Sequence, residues 1–162
     1  MAGSLFNKPV NRVVQNDFGG PLFAEISPNA TYAQMIPGII VASDTAVSDM
    51  AIIPASDPSN NIAVLGYEET LPADQPASIT SAYTQNAQNN QPRRVAIHNT
   101  PGMRFRGWIA ANQPVKPGTR LKCTTAGQLT PITASTDPVN AIAQESATGT
   151  TAFQAWCLWI MA

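Results

Sequence analysis

The stretch Gly102-Met103-Arg104-Phe105-Arg106-Gly107-Trp108-Ile109 decides the class of the fold. Met103, Phe105 and Ile109 fall on one face of an extended chain, and Arg104, Arg106 and Trp108 on the other. An alternation of period two is a strand signal, with one face meant for a core. The pattern continues towards the C-terminus. Pro117-Gly118 turns the chain into Thr119–Thr125, and Ala126-Gly127 turns it into Gln128–Thr133, which predicts a β-hairpin. Asp137-Pro138 then breaks the chain before Val139–Glu145, and Thr148-Gly149 leads into a last run from Thr151 to Met161. In that run Phe153, Ala155, Cys157, Trp159 and Met161 alternate with Ala152, Gln154, Trp156, Leu158 and Ile160. Both sets are largely apolar, which predicts a central strand or one whose second face a partner covers.

Towards the N-terminus the runs Ile39–Ala42, Met50–Ile53 and Ile62–Leu65 are short, apolar and separated by Asp, Ser, Pro and Asn, and they read as strands bounded by turns. Fourteen prolines and ten glycines spread along 162 residues interrupt every candidate helix. The expected fold is therefore mainly β: a small antiparallel barrel, β-tulip-like or sandwich domain, with an extended N-terminal arm and long loops. Residues 1–20 form the arm, since Leu5, Phe6, Val10, Val13 and Val14 keep neither period; an edge strand of the domain is the alternative. Residues 21–92 form an acidic β and loop region, either part of the same domain or a subdomain of its own, with a Gln- and Asn-rich loop from Tyr67 to Pro92. Residues 93–162 form a basic-to-apolar C-terminal barrel region.

Composition bears on function by what it withholds. Charged residues make up 12% of the chain, about half the usual share, and the net charge is −1. A weakly charged surface resists association poorly and suits a protein that assembles. The single histidine, His98, and two distant cysteines, Cys123 and Cys157, lack zinc-site spacing, so no metal is expected. His98 sits in the apolar run Val95–Asn99 and is expected to be structural. No nucleophile elbow, phosphate-binding loop or dinucleotide fingerprint is present, and Glu68-Glu69, being adjacent, point to opposite faces of a strand. The chain is expected to be no enzyme, to need no cofactor and to carry no catalytic residue. It has no apolar run long enough to span a membrane and no signal-peptide pattern at its start, so synthesis in a cytoplasm is expected.

The charges are segregated. Residues 13–92 hold eight acids and no Lys or Arg, whereas residues 93–122 hold seven bases and no acid. Such a molecule pairs its halves within the fold or between copies around a ring. Arg93, Arg94, Arg104, Arg106, Arg120, Glu68 and Glu69 are the candidate subunit-interface charges. A rival reading takes the arginines with Phe105 and Trp108 as a surface for single-stranded nucleic acid; the net negative charge opposes it, and no direct nucleic-acid contact is expected. A receptor- or glycan-binding β-module would instead display Trp108, Trp156 or Trp159, of which the two in the final run are expected in the core.

Three segments carry a resemblance: Val115–Leu121, Ala126–Pro131 and Ala141–Gly149, followed by the terminal apolar strand. In this order they resemble the head-decoration, or capsid cement, proteins of tailed bacteriophages over residues 107–161. The resemblance implies a small β-barrel or β-tulip that binds the outside of an expanded capsid as a trimer and clamps neighbouring subunits. It implies as partners the major capsid protein and further copies of the chain, and as location the exterior of the virion. An arm carrying Leu5, Phe6, Val10, Val13 and Val14 would add backbone hydrogen bonds at a capsid strand edge.

Overall fold

A computed structural model describes residues 14–15, 22–31, 34–48, 50–57, 62–68 and 94–160. The strands are β1 (Val14–Gln15), β2 (Leu22–Ile26), β3 (Ile40–Ser43), β4 (Ala51–Pro54), β5 (Ile62–Glu68), β6 (Arg94–His98), β7 (Arg104–Ile109), β8 (Arg120–Cys123), β9 (Leu129–Pro131), β10 (Ala141–Ala143) and β11 (Phe153–Trp159). No α-helix occurs among the described residues. The mainly-β class read from the sequence holds, and the strands build two closed barrels of five strands each.

The first barrel runs β2-β4-β3-β5-β6. Its closure depends on β6, which pairs antiparallel with β2 from Leu22↔Ile97 to Glu25↔Arg94 and with β5 at Val64↔His98 and Leu65↔Ile97. Arg94–His98, grouped in the sequence reading with the C-terminal barrel region, is thus a wall of the first barrel. The second barrel runs β7-β11-β10-β8-β9 and closes through one parallel pairing, Ile109↔Leu129. The expected hairpin is present as β8 and β9, joined by the 3-10 turn Thr125–Gly127. β11 is central, flanked by β7 and β10. Val14 and Gln15 add β1 beside β7, opposite Phe105 and Arg104. The end of the expected arm is therefore an edge strand of the fold; residues 1–13 and most of the Tyr67–Pro92 loop, from Glu69 on, lie outside the described residues.

Two apolar clusters follow from strand parity. Inside the second barrel Met103, Phe105, Ile109, Leu121, Cys123, Leu129, Cys157 and Trp159 are all buried. The Phe105 and Trp159 rings meet edge to face at 5.8 Å, and the buried Trp159 indole N–H donates to Asn99 Oδ1 at 3.2 Å. Ile26, Val41, Ile52, Ala63, Leu65 and Val95 fill the first barrel. Ile40, Ile62 and Val64, the alternate residues of β3 and β5, belong to the second barrel's cluster instead. These two strands are thus buried on both faces, which explains why Ile39–Ala42 and Ile62–Leu65 read as unbroken apolar runs rather than as alternation. Each such side chain contributes roughly 1.5–3 kcal/mol on burial.

Where the barrels meet, backbone lies on backbone. The Trp108 N–H donates to the Gly38 carbonyl at 3.4 Å, and the Gly127 N–H to the Ala55 carbonyl at 2.8 Å. The Trp108 indole donates to the Pro37 carbonyl at 3.0 Å. Both glycines are in the left-handed region, at φ 94° and 71°. A Cβ on Gly38 would overlap the Arg106 carbonyl oxygen, and one on Gly127 the Ile40 carbonyl oxygen. Gly118 has a similar φ of 89° but open space around it. In denaturant titrations Gly118→Ala is expected to cost only the conformational penalty, about 1–2 kcal/mol. Gly38→Ala and Gly127→Ala are expected to cost about 1–3 kcal/mol more, because the overlap adds to it. Equal losses at all three positions would contradict the seam.

Cys123 and Cys157 are free and buried, and burial pushes both thiols up to about 12. A thiol reagent at about pH 8 is expected to label neither in the native protein and both in denaturant. Rapid native labelling would mean that the core opens easily.

Candidate functional site

The same parity that fills the second barrel sets the composition of its outer wall. β7, β11, β10 and β8 lie side by side, and their inner residues are buried, so the alternate residues face outward. Register aligns them in rows: Arg104 opposite Leu158, Leu158 opposite Ile142 and Ile142 opposite Arg120. The next row sets Arg106 opposite Trp156, and a third sets Trp108 opposite Gln154. The first barrel covers the third row, where Trp108 packs against its cluster. What stays outward is a half-buried apolar strip of Trp156, Leu158 and Ile142, with guanidiniums at both margins.

Trp156 organises the basic margin. The Arg104 guanidinium carbon stands 5.2 Å from its ring centroid, and that of Arg106 5.7 Å; each such contact is worth roughly 0.5–1 kcal/mol at an exposed site. Arg104 Nε donates to Gln144 Oε1 at 2.6 Å. The backbone N–H of Trp156 donates to Glu145 Oε1 at 2.8 Å, which ties that carboxylate to the strand. Arg106 Nε is buried without a hydrogen-bond partner. Among the described residues the ion pair is Lys122 with Asp137 at 2.8 Å, and no carboxylate stands within 4.0 Å of Arg104 or Arg106. Chemically the wall offers two oriented cations beside an apolar strip, an arrangement suited to holding anionic groups on a polypeptide.

The candidate residues from the sequence are scattered. Of the arm residues, Leu5, Phe6, Val10 and Val13 lie outside the described residues, whereas Val14 sits in β1 and packs on the second barrel's core. Arg93 and Glu69 also lie outside them. Arg94 stands opposite Glu25 in the first barrel, and Glu68 opposite Val95. Arg104, Arg106 and Arg120 share the outer wall. The aromatic partners assigned to the arginines in the nucleic-acid reading are elsewhere: Phe105 is fully buried inside the barrel, and Trp108 lies at the seam. Trp156, expected in the core, is the aromatic that faces outward. Its parity was visible from its alternation with Cys157 and Trp159; its exposure depended on which element packs against the wall.

Elsewhere, Asp44 accepts hydrogen bonds from Ser27 Oγ at 2.6 Å and Asn29 Nδ2 at 3.1 Å, beside an open groove lined in part by Thr31, Gln34 and Thr125. No group of three or more His, Cys, Asp or Glu side chains gathers as a metal site among the described residues.

No protein-family model matches the chain, and no curated protein is significantly similar to it. Among solved structures it is similar to the head fiber gp8.5 N base of bacteriophage phi29. The TM-score is 0.42 at 14% identity, covering 88% of this chain and 98% of that one. A likeness of this size does not carry function across.

The carboxyls of Asp44 and Asp137 are held below their usual range, Asp44 chiefly by Ser27 and Asp137 chiefly by Lys122. A depressed folded-state pKa stabilises above the unfolded value of about 4 and loses that contribution as pH falls through the folded value. Thermal melts of wild type and Asp137→Asn are therefore expected to differ at neutral pH and to converge in acid. Curves that stay parallel down to about pH 2 would contradict this.

Proposed function

We propose that this protein is a non-enzymatic virion component that binds the outer capsid surface as a homotrimer and cements neighbouring capsid subunits. The observation that supports this reading is the position of the three segments resembling capsid cement proteins. Pro117-Gly118 turns the chain into β8, and the left-handed Ala126 and Gly127 turn β8 into β9. Ala141–Ala143 is β10, Val115 bridges to Ala147, and the terminal run is β11, between β7 and β10. All of these motifs thus fall within a single barrel, as the resemblance implies. Two further features favour a protein partner: the low charge of the chain and the outward strip rimmed by Arg104, Arg106 and Arg120. Residues 1–20 are the proposed capsid arm, of which Val14 and Gln15 pair with β7 as β1.

Purified protein is expected to co-sediment with emptied, expanded capsid shells at a fixed stoichiometry. Binding is expected to persist at high salt, because strand addition and apolar burial are weakly screened whereas phosphate contacts weaken steeply with salt. Failure to bind shells, with salt-sensitive binding to single-stranded DNA or with binding to glycans, would overturn the reading.

A further inference from the structure

We infer that the outward wall centred on Arg104, Arg106 and Trp156 docks an extended acidic segment of another protein, in which two carboxylates stand two residues apart. The inference rests on the protein-binding reading above and specifies its partner's chemistry. Arg104 and Arg106 are alternate residues of β7 with the same outward parity, so their Cα atoms stand about 6.7 Å apart along the strand. An extended partner with acids two positions apart repeats that backbone spacing, which lets one carboxylate approach each arginine. Charge-assisted Arg–carboxylate contacts are strongest when the planar fork is already oriented. Here it is oriented: both guanidiniums lie over the Trp156 ring, and Arg104 is further held by Gln144. Little side-chain freedom is left to lose on binding. Among the described residues no carboxylate stands within 4.0 Å of either guanidinium, so neither cation is neutralised by a described ion pair.

The wall discriminates among occupants. Two guanidiniums already contact the Trp156 ring, so a nucleic-acid base would have to compete with them to stack there. The strip of Leu158 and Ile142 beside it, closed by Arg120, suits the apolar side chains of a polypeptide. A second copy of this chain does not supply the pattern, since no two of its ten acids stand two residues apart.

The test uses fluorescence anisotropy with two short labelled Thr- and Val-rich peptides of equal composition, one with aspartates two residues apart and one with them adjacent. The spaced peptide is expected to bind the full chain about tenfold or more tightly than the adjacent one, and added salt to weaken it. Arg104→Gln with Arg106→Gln is expected to abolish the difference. Arg104→Lys with Arg106→Lys, which keeps charge and fold but removes the planar forks, is expected to reduce it. Equal binding of the two peptides, unchanged discrimination in either variant, or displacement by oligothymidylate as effective as by unlabelled peptide would overturn the inference. Shell co-sedimentation run in parallel separates the two readings. Shell binding without peptide discrimination defeats this inference alone, and peptide discrimination without shell binding defeats the capsid reading alone.

Discussion

The approach of backbone to backbone at Gly38 and Gly127 is the constraint on which the rest of this molecule depends. At both points a carbonyl oxygen of the opposing barrel occupies the space where a side chain would begin. Hydrogen bonds from Trp108 and Gly127 then fasten one barrel to the other. Contact this close lets β3 and β5 serve two cores at once, with Val41, Ala63 and Leu65 facing into one barrel and Ile40, Ile62 and Val64 supplying the other. Neither core is completed by its own strands alone. The seam also decides what the outer wall displays, because it covers Trp108 and leaves the Arg104, Arg106 and Trp156 end of β7 and β11 outward.

The strands of the second barrel were legible because each has one buried face, and alternation survives in the sequence: Met103, Phe105 and Ile109 against Arg104, Arg106 and Trp108. Their turns were equally plain, at Pro117-Gly118 and Ala126-Gly127. The existence of two barrels was not legible. Runs such as Ile62–Leu65 announce burial on both faces without saying what covers the second. The change from acid to base near residue 93 looked like a boundary, yet β6 crosses it to pair with β2, whose partner residues lie about seventy positions earlier. Pairing over such a separation leaves no local trace.

The site was half legible for the same reason. Arg104, Arg106 and Arg120 could be assigned to outward faces from parity alone. Choosing the aromatic that accompanies them required knowing where the first barrel sits, since Trp108 and Trp156 both face outward from adjacent strands and only one is covered. Leaving Trp156 uncovered turns a row of charges into an oriented pair, because its ring gives two like charges a shared favourable contact. With only 12% charged residues in the chain, this oriented pair concentrates positive charge on one face.

The most direct test of this account is hydrogen exchange read by mass spectrometry on the chain alone and on emptied capsid shells. The account predicts added protection on the shell at the edge of β7 and in the outward wall, around Arg104–Arg106 and Trp156–Leu158, with the interior of the first barrel unchanged. Protection confined to the first barrel, or no change anywhere despite binding, would contradict it.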